Sequence, residues 1–288
     1  MPELPEVETV RRQLEPVLTN RTISGVEVFH AKTVAHDPTI EDRLVGQTIA
    51  TIERVGKLLI FSFKDAPDLF LLAHLKMTGQ FFFVTPDNAP RGGGHSVAAQ
   101  DIAELPGRHT RTAFYFTDGS ALYFNDMRLF GYTKLATAAE AAIARAGFGP
   151  EPNDPHFDHD WFVKTLRRRR TPVKAALLDQ SFVAGLGNIY VDEALFRARI
   201  RPGRQAARVS TRAAYALAAA AQDVLREAIA VGGTTFQHFV DTGGNTGNFT
   251  DYLQVFGKQN TPCPICGTAI KKVRLAGRGT HYCPTCQS

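Results

Sequence analysis

The stretch Thr110-Arg-Thr-Ala-Phe-Tyr-Phe-Thr117, then Asp118-Gly119-Ser120, then Ala121-Leu-Tyr-Phe-Asn125 reads as two strands joined by a tight turn. Asp-Gly between two such runs is a hairpin signal, because glycine accepts the positive φ that a short connection requires. Six more runs of this kind occupy 22–29, 47–54, 57–64, 69–75, 80–84 and 132–135. Eight short strands with no helix between them predict a β-sandwich or barrel. Pro86 to Gly107, rich in Gly, Pro and polar residues, interrupts them and reads as a long mobile loop.

Upstream, residues 3–19 place Val7, Val10, Leu14 and Leu18 at spacings of three and four, the apolar face of a helix. Glu8 and Arg12 stand four apart on its outside as a supporting pair. Downstream, an Ala-rich segment and then Gly147-Phe-Gly-Pro-Glu-Pro-Asn-Asp-Pro155 suit an interdomain linker over 136–160. From 161 to 231 the periodicity is helical. The longest helix is expected at 211–231, with Leu217, Val224, Leu225 and Ile229 as its buried stripe and Gly232-Gly233 as its stop. A polar, Gly-rich loop follows at 241–251. The expected division is a β-sandwich domain with an N-terminal helix at 1–135, the linker at 136–160, a helical domain at 161–257 and a cysteine-bearing tail at 258–288.

The 288 residues, 44% of them hydrophobic, suffice for two or three cored units. No apolar run approaches the roughly 20 residues of a membrane span, and the acidic start does not read as a signal peptide. A soluble cytoplasmic protein is therefore expected. The net charge of +5 is uneven: residues 1–135 hold 14 Lys and Arg against 16 Asp and Glu, and residues 136–288 hold 19 against 12. The basic second half fits a polyanionic partner, and equally a solvated basic surface.

All four cysteines lie near the end, as Cys263-Pro-Ile-Cys266 and Cys283-Pro-Thr-Cys286. Two Cys-x-x-Cys knuckles 16 residues apart fit one tetrahedral zinc ion, structural because four thiolates leave no open position. Disulfides are the competing account, disfavoured in a chain without an export signal.

The opening Met1-Pro-Glu-Leu-Pro-Glu-Val-Glu8 carries chemistry of its own. If Met1 is removed, the chain starts with the secondary amine of Pro2. An α-amine titrates near 8, and the positive end of a helix disfavours its charged form further. Such an amine adds to a sugar aldehyde carbon to give a permanently cationic iminium, which promotes elimination. Glu3 beside it is a possible proton donor and acceptor. The same residues also suit a plain helix start, where Pro and Glu are common.

The run from Met1 to Arg12 resembles the start of formamidopyrimidine-DNA glycosylases, bifunctional enzymes that excise oxidised purines through an N-terminal proline. The resemblance extends in order through the chain and implies a β-sandwich with an N-terminal helix, a helix-two-turn-helix domain and a zinc hairpin. It implies Pro2 as nucleophile, Glu3 as its acid and base, Glu6 as support, and Lys57 beside the sugar as proton donor for β-elimination. His74 and His109 are implied to contact DNA.

In the run His74-Leu-Lys-Met77, Met77 resembles the family's wedge. In Asn125-Asp-Met-Arg128-Leu-Phe130-Gly131, Arg128 resembles the residue that bonds the orphaned base, and Phe130 the one that stacks between base pairs. An apolar or planar plug offsets the few kcal/mol lost on emptying the stack. Leu129 stands where the family has a second basic residue, which puts one backbone contact in doubt. In the run 167–174, Arg170 and Lys174 resemble positions that meet DNA and the lesion site.

Gly185-Leu-Gly-Asn188 resembles the helix-two-turn-helix turn, with Asn188 on a phosphate. Glycines there would let backbone approach a phosphate at a helix N-terminus. Arg278, between the knuckles, resembles the arginine that clamps the lesion phosphates and acts in δ-elimination. The implied partner is duplex DNA with oxidised bases or abasic sites, bound by a monomer. Two other readings stay open. One is an endonuclease VIII-like preference for oxidised pyrimidines, against which Leu4 speaks. The other is a non-catalytic damaged-DNA-binding zinc protein.

Overall fold

A computed structural model describes residues 2–87, 90–91, 104–234 and 249–288 of the chain. These fall into two compact units, one formed by Met1–Ala146 with a return segment from Gly232, the other by Gly147–Val231 and Phe249–Ser288.

The first unit starts with helix α1 (Leu4–Leu18), whose Val7, Val10, Leu14 and Leu18 are buried as their spacing predicts. Among the described residues nine strands follow: β1 (Ile23–Val28), β2 (Ile49–Val55), β3 (Leu58–Phe63), β4 (Phe70–His74), β5 (Gly79–Val84), β6 (Pro90–Arg91), β7 (Thr110–Phe116), β8 (Ala121–Asp126) and β9 (Tyr132–Ala136). They form two antiparallel sheets, ordered β1-β7-β8-β5-β6 and β2-β3-β4-β9. The sandwich is closed by aromatic side chains. Phe61 of one sheet meets Phe81 of the other edge-on with ring centroids 6.1 Å apart, and Phe81 leans on Phe124 at 5.1 Å. The Asp118-Gly119 turn forms, Gly119 at φ 83°, and pairs Tyr115 with Ala121.

The stretch between β1 and β2, expected to hold no helix, contains a 3-10 turn (Ala31–Val34) and the short helix α2 (Ile40–Leu44). Val34, Ile40 and Leu44 are buried, so these turns extend the core. The strand β6 falls inside the expected loop of 86–107, and most of that loop lies outside the described residues. Helix α3 (Ala138–Ala146), built from alanines of high helix propensity, is fastened to this unit by Arg145–Glu53 at 2.7 Å and by the Ala138 N–H donating to Asp68 at 2.9 Å.

The second unit packs helices α4 (His159–Leu166), α5 (Val173–Leu178), α6 (Asn188–Arg197) and α7 (Thr211–Ala230). Ser210 caps α7 by accepting from the Ala213 N–H. Leu217, Val224 and Leu225 are buried as expected, while Ile229 is half-buried and Ala228 takes the inner position. In α6 every residue from Ile189 to Phe196 is buried, including Asp192 and Glu193. A helix buried all round has no solvent to satisfy its charges, so both carboxylates need partners within the fold. The chain ends in a hairpin of β10 (Lys271–Leu275) and β11 (Arg278–Tyr282), turned at Ala276 and Gly277 with φ 49° and 73°. Among the described residues no helix is long and apolar enough to cross a membrane.

Candidate functional site

At the start of α1, Pro2 is buried and Glu3 is 1% exposed. Glu3 and Glu6 form a capping box, in which the Glu3 N–H donates to Glu6 Oε2 at 2.8 Å. The other oxygen, Glu6 Oε1, accepts from the backbone N–H of Thr234 at 2.6 Å and from its hydroxyl at 3.0 Å. Gly233, at φ 88°, makes this approach possible, since a Cβ there would lie 2.6 Å from Glu6 Oε1. Glu6 is therefore the latch that fixes the chain's first turn. Glu8, expected outside with Arg12, is instead 7% exposed and held by Arg11, Arg12 and Arg54, whose Nε donates to Oε2 at 2.9 Å. Burial raises its carboxyl, but the guanidinium bonds of Arg11, Arg54 and Arg12 outweigh that and bring it down to about 2.

Lys57, 6% exposed, immediately precedes β3, whose Leu58 pairs with His74 at the end of β4. Burial lowers the His74 imidazole to about 3, helped by the charges of Lys76 and Lys57. Its Nδ1 accepts from the Lys76 N–H at 2.9 Å, so the neutral ring carries its proton on Nε2 and offers one donor without a charge.

Next to His74 lies the loop 126–131, built around a residue that the sequence reading passed over. Asp126 is 0% exposed and accepts from the Arg128 N–H at 3.1 Å, the Phe130 N–H at 2.8 Å and the Gly131 N–H at 2.7 Å. It also accepts from the Thr78 hydroxyl, which follows Met77. One carboxylate thus joins the segment bearing Met77 to the loop bearing Arg128 and Phe130. Gly131 has no room for a side chain, since a Cβ would sit 2.8 Å from the Phe124 ring and 3.0 Å from the His74 carbonyl. Phe130 is 48% exposed under the Arg128 guanidinium, 4.7 Å from its ring centroid, and Met127, also passed over, is 63% exposed. Met77 is half-buried. Leu129 adopts φ 55°, a left-handed conformation that disfavours a branched side chain. His109 joins the group through its carbonyl, which accepts from the Asp126 N–H at 2.9 Å. The signals for Asp126 and Met127 were an Asp preceding a glycine-ended turn, and a thioether amid polar neighbours.

In the second unit Arg170 is exposed, and four residues on Lys174 is fully buried. Its ammonium donates to Asp192 Oδ1 at 2.7 Å and to the Gly279 carbonyl at 3.2 Å. Asn188, the first residue of α6, donates its Nδ2 to the same carbonyl at 3.0 Å. Asp192 Oδ2 accepts from the His281 N–H at 2.8 Å. Arg278, next to Gly279, is exposed at the hairpin tip. Glu193 accepts from three successive backbone N–H groups, Gln254, Val255 and Phe256, at 2.8–3.0 Å. Burial pushes its carboxyl up against the pull of those donors. Of the 241–251 loop, only 249–251 lie among the described residues.

The sulfur atoms of Cys263, Cys266, Cys283 and Cys286 all lie within 4.8 Å of one another. Cys263–Cys286 and Cys266–Cys283 are 3.9 Å and 3.5 Å apart. Zn–S bonds of about 2.3 Å in a tetrahedron put sulfurs about 3.8 Å apart, so the four thiolates fit one zinc ion with a closed shell.

Residues 1–133 match the formamidopyrimidine-DNA glycosylase N-terminal domain, residues 148–240 the formamidopyrimidine-DNA glycosylase H2TH domain, and residues 261–288 the zinc finger found in FPG and IleRS. The chain is 42% identical to the formamidopyrimidine-DNA glycosylase of Exiguobacterium sibiricum, over 100% of this chain and 99% of that one. It is 42% identical to that of Geobacillus kaustophilus over 100% of both. Among solved structures it resembles Lactococcus lactis Fpg in complex with DNA containing an abasic site, with a TM-score of 0.86 at 36% identity over 99% of each chain. It also resembles the wild-type L. lactis protein with DNA containing N7-benzyl-Fapy-dG, with a TM-score of 0.85 at 36% identity over 100% of each chain.

Proposed function

The chain belongs to the formamidopyrimidine-DNA glycosylase family and is a DNA glycosylase of DNA repair; from that premise we propose that it excises oxidised purines, 8-oxoguanine and formamidopyrimidines, and then cleaves the strand. Pro2, freed by removal of Met1, attacks C1′ of the damaged nucleotide. Glu3 exchanges the protons that open the sugar and release the base. The resulting iminium drives β-elimination with Lys57 as proton donor, and δ-elimination then leaves phosphate ends with Arg278 on the phosphate. The observation that carries this reading is the buried Pro2-Glu3 start, latched through Glu6 to Gly233-Thr234. A proline needed only to begin a helix requires no such enclosure.

Around this centre Met77, Arg128 and Phe130 fill the space of the extruded base, and the exposure of Arg128 and Phe130 on an anchored loop supports that role. His74, neutral with one ring donor, and His109 and Asn188 hold DNA phosphates. Arg170 adds charge to the same surface. The enzyme works as a monomer in the bacterial cytoplasm.

Borohydride trapping on duplex DNA containing 8-oxoguanine tests the nucleophile. A covalent protein–DNA adduct is expected, and Pro2→Gly should lower its yield by about 100-fold or more. Equal trapping by protein whose intact mass retains Met1 would exclude Pro2, and absence of an adduct would leave a binding protein. Preference for thymine glycol over 8-oxoguanine in the same assay would favour the oxidised-pyrimidine reading.

A further inference from the structure

The carboxylate of Asp192 has no place in the chemistry above, yet it sits at the crossing of three elements. It is 0% exposed, as is Lys174, and each of its oxygens serves a different segment. Oδ1 holds the Lys174 ammonium of α5 at 2.7 Å, and Oδ2 holds the His281 N–H of β11 at 2.8 Å. The Lys174 ammonium continues to the Gly279 carbonyl at 3.2 Å, where the Asn188 side chain converges at 3.0 Å. The hairpin tip is therefore gripped at two points two residues apart, one an N–H and one a carbonyl. Arg278 is the residue next to this grip.

We propose that Asp192 and Lys174 are positioning residues, which lock the hairpin against the start of α6 so that the Arg278 side chain is presented in one fixed place. The proposal rests on the reading that Arg278 acts on the phosphate at the damaged nucleotide. A buried ion pair is a poor device for stability alone, because apolar residues of similar volume commonly replace such a pair without loss. Directional bonds define register in a way that apolar contact does not. The hairpin strands are short, four of the five residues of β10 are exposed, and β11 buries only the polar Thr280 and His281, so apolar packing specifies their placement weakly. Zinc fixes the knuckles at 263–266 and 283–286, at the opposite end of the strands from the tip. On this account Lys174 acts through the protein, and the cation at the DNA is Arg278.

The test uses the full zinc-loaded chain. The paired substitution Lys174→Met with Asp192→Leu removes both charges together, and Asp192→Asn keeps one oxygen for the His281 N–H. Zinc content and thermal unfolding establish that each variant is folded, and the variant that folds carries the measurement. Hydrogen exchange of the amides at 279–281 should speed up at least tenfold in the paired variant, with the knuckle amides unchanged. On abasic-site DNA, kcat for the second elimination should fall at least tenfold with KM within threefold. Added to Arg278→Ala, the paired substitution should cause no further loss. Unchanged exchange at the tip, or losses that multiply with those of Arg278→Ala, would overturn the proposal. If Arg278→Ala alone leaves elimination intact, the phosphate role of Arg278 fails, while the exchange result still decides whether the tip is positioned by this pair.

Discussion

In the first unit Met127 and Phe130 stand 63% and 48% exposed, on a loop whose backbone is tied to the buried Asp126, whereas in the second unit the charges of Lys174 and Asp192 are wholly enclosed and Arg278 alone of that group reaches water. The anchored parts differ in kind. Asp126 accepts from main-chain N–H groups and one hydroxyl, so the loop's shape is set while its side chains stay at liberty to enter another molecule. The second unit spends side-chain charge and a metal site on holding a strand pair that has almost no core of its own. A surface that must wedge into a base stack needs a rigid backbone under mobile tips. A surface that must meet a phosphate at one distance needs the whole side-chain framework fixed.

The largest effect should come from removing the metal. Chelation, or Cys283→Ser, should unfold the hairpin and lower strand incision on the order of 100-fold or more, because metal binding and folding of such a small module are one equilibrium. Near-ultraviolet dichroism and tryptic digestion should show the sandwich of the first unit unaffected. If the sandwich melts with the hairpin, the two units are not independently held. Next in size is Asp126→Ala, which strands the buried Gly131 N–H, frees the part-buried N–H groups of Arg128 and Phe130, and should destabilise the first unit by about 3 kcal/mol. Arg128→Ala on the same loop should change stability by less than about 0.5 kcal/mol while relaxing opposite-base preference. Denaturant unfolding and incision assays on both variants separate framework from tip.

The smallest effect concerns Glu8. Its carboxyl lies at about 2 in the folded state against 4.5 as its ordinary value, so its stabilisation is full above pH 4.5 and is lost as the pH falls through 2. Glu8→Gln should cost about 2 kcal/mol at neutral pH, allowing for solvent screening, and the gap to the parent should close on acidification between those limits. A gap independent of pH would mean that the guanidinium cluster around Glu8 contributes only by packing.

The strands and the zinc knuckles were legible because they are written in neighbouring residues: apolar and β-branched runs, an Asp-Gly turn, two Cys-x-x-Cys pairs. What escaped was every partner distant in sequence. Glu8 reads as the local mate of Arg12, four residues away, and nothing local announces Arg54 on β2. Lys174 reads as one more cation after four arginines, until α6 brings Asp192 to it. Asp126 was hidden differently, since all its partners but the Thr78 hydroxyl are backbone groups, which have no letter in the sequence.

The Glu6–Thr234 latch spans 228 residues, so the segment that completes the first unit is synthesised long after the unit's strands. Units fold as they leave the ribosome, N-terminal first. A nascent chain can close its sandwich early, but its first turn stays unfastened until Gly233 and Thr234 emerge. The order of translation thereby leaves the chain's first turn waiting for its last fastening until every helix from 147 to 231 has already been made.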